Sequence, residues 1–125
     1  MNRGKLRTAR VLLVVAALCC IAAGGKEEIF KGEIGDSQCA LNVHSLSRSH
    51  EEMLKNKSIG VSAADCARHC VKTLGGVYVL QVKNKVYKLD NQELAEKNAG
   101  MKVKVTGVLD SLNNTIAVHS MEAVQ

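Results

Sequence analysis

The stretch from Lys102 to Met121 leaves little choice of architecture. Val103 and Val105 alternate with Lys102, Lys104 and Thr106. After the polar run Asp110-Ser111-Leu112-Asn113-Asn114, Ile116 and Val118 continue the alternation. A period of two is the repeat of a strand with one face buried and one in water. Two strands are therefore expected, at 102–109 and 115–121, with His119 on the solvent side of the second. A similar pair precedes them. Residues 77–82 and 86–89 are rich in Val, Tyr and Leu and flank a short turn at Lys83-Asn84-Lys85, which reads as a hairpin. A first strand is expected at 28–35, ended by Gly35-Asp36-Ser37.

Helical signals lie between these strands, at 49–57, 63–74 and 91–98. Ser49 and Glu52 have the spacing of a capping box, with His50, Met53 and Leu54 sharing a face behind it. The second helix is bounded by Ser62 and Asp65 at its start and by Gly75-Gly76 at its end. Its apolar stripe is Ala63, Cys66, Cys70, Val71 and Leu74, which leaves His69 at the rim. Asp90 to Glu93 suggests a capping box for the third helix, which Gly100 closes. The resulting order is strand, helical insert, two strands, short helix, two strands. That is a mainly β chain with a helical insert (α+β), built as a small five-stranded OB-like barrel or an open sheet.

The first residues follow a different logic. Arg3, Lys5, Arg7 and Arg10 precede an apolar run from Val11 to Ala23 that ends in small residues. This is the layout of a secretory signal peptide, and the run is short of the ~20 residues that span a bilayer. The expected organisation is a signal peptide at 1–24 and a single OB-like domain at 25–125 with a Cys/His insert at 36–76. The mature protein would be exported, periplasmic or secreted, with no membrane span after cleavage. Lipidation at Cys19 or Cys20 is disfavoured, because Leu18 and Cys19 occupy the preceding position, where a small residue is wanted. Cleavage also reduces the whole-chain charge of +5 to +1, because four basic residues and no acid leave with the leader. With only Phe30, Tyr78 and Tyr87 as aromatics, neither a basic footprint nor a stacking platform for nucleic acid is left.

Any chemistry is concentrated between Asp36 and Cys70. This stretch holds Cys39, Cys66 and Cys70, every cysteine outside the leader, together with His44, His50 and His69. Three thiolates and an imidazole suit zinc, and thiolates also suit copper(I), so Cys39, Cys66, Cys70 and His50 form a candidate metal set with His44 as the competing fourth ligand. In an oxidising compartment the same cysteines could instead form a disulfide, with one thiol left over. A bridge from Cys39 to Cys66 or Cys70 would close a loop of ~30 residues and contribute about 3 to 4 kcal/mol. The third reading is a thiol enzyme with one histidine as base, though no Cys-x-x-Cys motif and no triad order is present. An accessory or binding role fits this residue inventory better than catalysis, with ligand and partner left open.

Several motifs together resemble a family of small exported bacterial OB-like proteins that contain a domain of unknown function. They are Asp36-Ser37-Gln38-Cys39, Cys66 to Cys70, Gly75 to Leu80, Lys85 to Gln92, Val105 to Asp110 and Thr115 to Val118. The resemblance spans nearly the whole chain after the leader. It implies an exported β-barrel and carries no activity with it. It also leaves open whether His44 or His50 corresponds to the family's histidine.

Overall fold

The computed structural model describes residues 24–41, 55–57 and 60–125. Its strands are β1 (Glu27–Asp36), β2 (Tyr78–Val82), β3 (Lys85–Leu89), β4 (Lys102–Asp110) and β5 (Thr115–Ala123). They close into a barrel in the order β1-β2-β3-β5-β4. All neighbours are antiparallel except β3 and β5, which run parallel from Lys88 opposite Thr115. Of the two expected arrangements, the OB-like barrel is the one formed.

β1 makes closure possible by serving two neighbours. Residues Glu27 to Glu33 pair with β4, and Glu33 to Asp36 pair with β2. A strand shared in this way must coil tightly, and Gly32 lies where it does so. A Cβ at that position would fall 2.1 Å from the carbonyl oxygen of Gln81, so the backbones can approach only where there is no side chain. Inside the barrel, Phe30, Ile34, Leu80, Val103, Val105 and Ile116 form the centre of the core. Phe30 meets the Tyr87 ring at a centroid distance of 5.6 Å. Burying a side chain such as Ile34, which has no exposed surface, contributes about 1.5–3 kcal/mol.

The alternation in β5 is interrupted once. Thr106 faces Ser120 while Gly107 faces Val118, so His119 is the extra residue of a bulge. The bulge resets the inward face from Ile116 and Val118 to Met121, which packs against the core. His119 is exposed as expected, and its ring contacts the Glu27 carboxylate on β1.

Three helices are described: α1 (Ser37–Ala40), α2 (Ala63–Thr73) and α3 (Gln92–Lys97). Most of the helix expected at 49–57 lies outside the described residues. α2 begins with the expected reciprocal box between Ser62 and Asp65. Its stripe differs at the end: Leu74 is the C-cap and 40% exposed, because the helix stops at Thr73 before the periodicity can turn it inward. Ala67 takes a core place instead. At α3 the expected box does not form. Asn91 caps Leu94, Glu93 pairs with Lys97, and Asp90 turns to the barrel to accept from the Val118 amide at 2.8 Å. Gln92 continues the sheet ladder with its side chain, accepting from Tyr78 N at 2.8 Å and donating to the Tyr78 and Leu89 carbonyls at 2.9 Å each. No helix among the described residues is long and apolar enough to cross a membrane.

α2 is seated on the barrel at Gly100. The Gly100 amide donates to the Ile34 carbonyl at 2.7 Å, and its φ of 72° lies in the left-handed region. A Cβ there would meet the Ala64 amide nitrogen at 2.5 Å. This contact sets the distance between the helix carrying two cysteines and the strand leading to the third.

Candidate metal centre

The site begins where β1 runs out. Asp36 is the last residue of the strand and, in extended conformation, the N-cap of α1. Its Oδ1 accepts from the Cys39 amide at 2.9 Å, a cap that satisfies one of the orphan donors of a helix start. α1 is a single turn, too short to be stable alone, so its position depends on its neighbours. Ser37 exchanges two bonds with Val77: its amide donates to the Val77 carbonyl at 2.9 Å, and its hydroxyl accepts from the Val77 amide at 3.0 Å. Gln38 donates to the Leu74 carbonyl at 3.1 Å. These bonds tie α1 to the segment just after α2 and hold Cys39 beside that helix.

α2 supplies the other two sulfurs. Cys66 and Cys70 are one turn apart on the face turned to the barrel, and neither has exposed surface. The Cys70 carbonyl accepts from both Leu74 and Gly76 at 3.1 Å, which fixes that end of the helix. One carboxylate oxygen of Asp36 and the sulfurs of Cys39, Cys66 and Cys70 all lie within 4.8 Å of one another. The sulfurs of Cys39 and Cys66 are 3.7 Å apart, far beyond the ~2.05 Å of a disulfide, and no disulfide joins any two of the three. Ligands about 2.3 Å from a tetrahedral zinc stand about 3.8 Å from each other, so the observed separation matches an edge of that polyhedron.

Electrostatics points the same way. Asp36 is 1% exposed, and its Oδ2 has no hydrogen-bond partner among the described residues. A buried carboxylate oxygen without a partner is costly. The Cys39 thiol is pushed far up by burial and then by the negative charge of Asp36. Cys70 is pushed up to about 12 by the same two causes in the same order. Cys66 is also raised, chiefly by burial. Without a cation, the cluster is three protonated thiols around a carboxylate of which one oxygen has no donor among the described residues. A divalent ion reverses this, because it stabilises thiolate and carboxylate together.

Of the residues the sequence put forward, Cys39, Cys66 and Cys70 come together. His44 and His50, offered as the fourth ligand, lie outside the described residues. His69 is half-buried on α2 and is not a member of the cluster. The residue missed was Asp36, read only as the end of a strand. Its signal was the spacing Asp-x-x-Cys: a capping carboxylate bonds to the amide three residues on, so it necessarily lies beside that residue's side chain. A cavity of about 390 Å³ opens next to the cluster, with Asp36 and Cys39 in its wall and Glu33, Gln81, Lys83 and Asn84 around it. Comparison of the chain with family models, curated proteins and solved structures gives no match.

Proposed function

We propose that this protein is an exported metal-binding accessory protein whose ion is held by Asp36, Cys39, Cys66 and Cys70. The observation that carries this reading is Asp36, whose buried Oδ2 has no hydrogen-bond partner among the described residues and whose carboxylate stands within 4.8 Å of three sulfurs. Capping α1 accounts for Oδ1, which accepts from the Cys39 amide, and gives Oδ2 no role. Three thiolates with one hard oxygen donor favour zinc. Copper(I) is the second choice, because it takes the sulfurs and has little use for the carboxylate. The basic, apolar, small-residue layout of the first 24 residues supports export.

The test is elemental analysis and thiol titration of the protein isolated from the exported fraction. One equivalent of zinc, with three thiols that become reactive only after chelation, supports the reading. A metal-free protein with a Cys39–Cys66 disulfide and one remaining thiol refutes it and leaves a stapled barrel. Asp36→Asn should lower the affinity for zinc at least tenfold, and a copper(I) site should barely respond.

A further inference from the structure

The three sulfurs of the cluster are not equivalent. Cys66 and Cys70 have no exposed surface, whereas Cys39 is only half-buried and forms part of the wall of the neighbouring cavity. Their supports differ as well. Cys66 and Cys70 project from an 11-residue helix, and Cys39 from the single turn of α1. A small solute that reaches the cluster therefore meets Cys39 first, on the element that shifts at least cost.

Geometry limits which of the three can pair. Cβ atoms one helical turn apart stand about 5–6 Å from each other, and a disulfide needs about 3.5–4.5 Å. Cys66 and Cys70 thus cannot bridge while α2 is intact, and α2 is fixed at both ends, by the Ser62–Asp65 box and by the two bonds to the Cys70 carbonyl. Any internal bridge has to include Cys39. Its sulfur stands 3.7 Å from that of Cys66, across the gap between two helices, so side-chain rotation with a slight approach of α1 brings the pair to bonding distance. A bridge there removes two of the four donors and leaves only Asp36 and Cys70, too few for a closed tetrahedral site.

We propose that the metal site is under redox control: a peroxide joins Cys39 to Cys66, and the bridged protein cannot hold the ion. This rests on the metal reading above. The step takes place in the fraction of molecules from which the ion has dissociated, so oxidant and metal compete for the same sulfurs. The Cys39 sulfur, losing its proton to water, attacks one peroxide oxygen. The O–O bond breaks, Cys39 becomes a sulfenic acid, and the other oxygen leaves as water. The Cys66 sulfur then attacks the Cys39 sulfur, and its proton leaves with the displaced hydroxide as a second water. Each sulfur gives up one electron, and the peroxide is reduced to two waters. The end of β1 stays tied to α2 in both states, through the ion when the sulfurs are reduced and through the disulfide when they are oxidised.

A stapled barrel with no metal site would form the same bridge, so the experiment starts from fully reduced, metal-free mature protein. Zinc is offered first. Uptake of one equivalent secures the foundation, and no uptake would remove both readings. Hydrogen peroxide added to the metal-free protein should give a Cys39–Cys66 bridge on a non-reducing peptide map, leave Cys70 as the one alkylatable thiol, and lower zinc affinity by roughly a hundredfold or more. Dithiothreitol should restore the full equivalent. Saturating zinc should slow bridging by roughly tenfold or more, because the bound ion withholds the sulfurs. Cys70→Ala should still bridge. Cys39→Ala, which keeps two thiols one turn apart, should form no internal bridge. Absence of a bridge, a bridge between any other pair, bridging at the same rate with and without zinc, or a bridged protein that binds zinc as tightly as the reduced one would each overturn the redox proposal and leave the metal site standing.

Discussion

The amide of Cys39 donates to Asp36 Oδ1 at 2.9 Å, and this one bond places a carboxylate and a thiol side by side at the point where β1 becomes α1. The cap commits one oxygen of Asp36 and leaves Oδ2 buried without a partner among the described residues. The local geometry of a helix start thus sets up half of the candidate metal centre before α2 contributes anything.

Asp36→Asn should act in opposite directions on the two forms of the protein. Asparagine keeps an acceptor for the Cys39 amide and removes the buried charge, whose lack of a partner costs about 1–3 kcal/mol. The metal-free variant should therefore melt higher, by roughly 4 °C or more, while zinc affinity falls. Scanning calorimetry with and without a chelator checks both signs. A metal-free variant less stable than the parent, with affinity unchanged, would exclude Asp36 as a ligand.

If Asp36 completes the coordination sphere, the histidines of the insert are dispensable for it. His44→Ala, His50→Ala and the double variant should each retain one equivalent of metal, with affinity within about twofold of the parent in competition with a chromogenic chelator. Loss of metal in the double variant, with metal retained in Asp36→Asn, would assign the fourth position to a histidine.

The raised thiols make the metal-free form sensitive to alkali. Cys39, Cys66 and Cys70 titrate higher in the folded than in the unfolded chain, so above the unfolded value the native state holds protons that the unfolded chain has lost. Their contribution is fully present below the unfolded cysteine pKa of ~8.5. It declines as pH rises toward about 12, where Cys70 titrates. Urea midpoints of the chelated protein should fall between pH 8 and pH 10, and Cys70→Ala should lessen the fall. With zinc bound, the thiolates are already formed and the midpoint should stay nearly level. Metal affinity itself should rise with pH, by roughly tenfold per unit for each proton displaced.

Gly100→Ala tests the seat of α2. The new Cβ would stand 2.5 Å from the Ala64 amide nitrogen on a backbone with a φ of 72°, so either the helix lifts or the loop rearranges. A loss of about 1–3 kcal/mol is expected, together with weaker metal binding as Cys66 and Cys70 shift away from Cys39. Denaturant unfolding and a zinc titration measure the two effects, and a stable variant with full affinity would show that the seat does not position the site.

The β-architecture was largely legible in the sequence because strands write their burial into a period of two. Val103 and Val105, Ile116 and Val118, and the run around Tyr78 and Leu80 mark their inner faces by composition alone. The cysteine spacing on α2 was legible for the same reason, with Ser62, Asp65 and Gly75 giving its limits. What pattern could not supply was the bulge at His119, the early end of the helix at Leu74 and the choice of Asn91 over Asp90 as a cap. Each of these depends on which neighbour competes for a particular amide or face.

The sequence by itself determined that the chain forms strands in this order, that two cysteines share a helix face, and that a third follows the first strand. Local hydrogen bonding and hydrophobic periodicity fix those features within a few residues of each position. Only the tertiary structure decided that Cys39 meets Cys66 and Cys70, and that Asp36 joins them. That meeting requires β1 to bend at Gly32, α1 to be held by Val77 and Leu74, and α2 to rest on Gly100. These are contacts between segments far apart in the chain, and they bring four donors to one point only because the barrel closes.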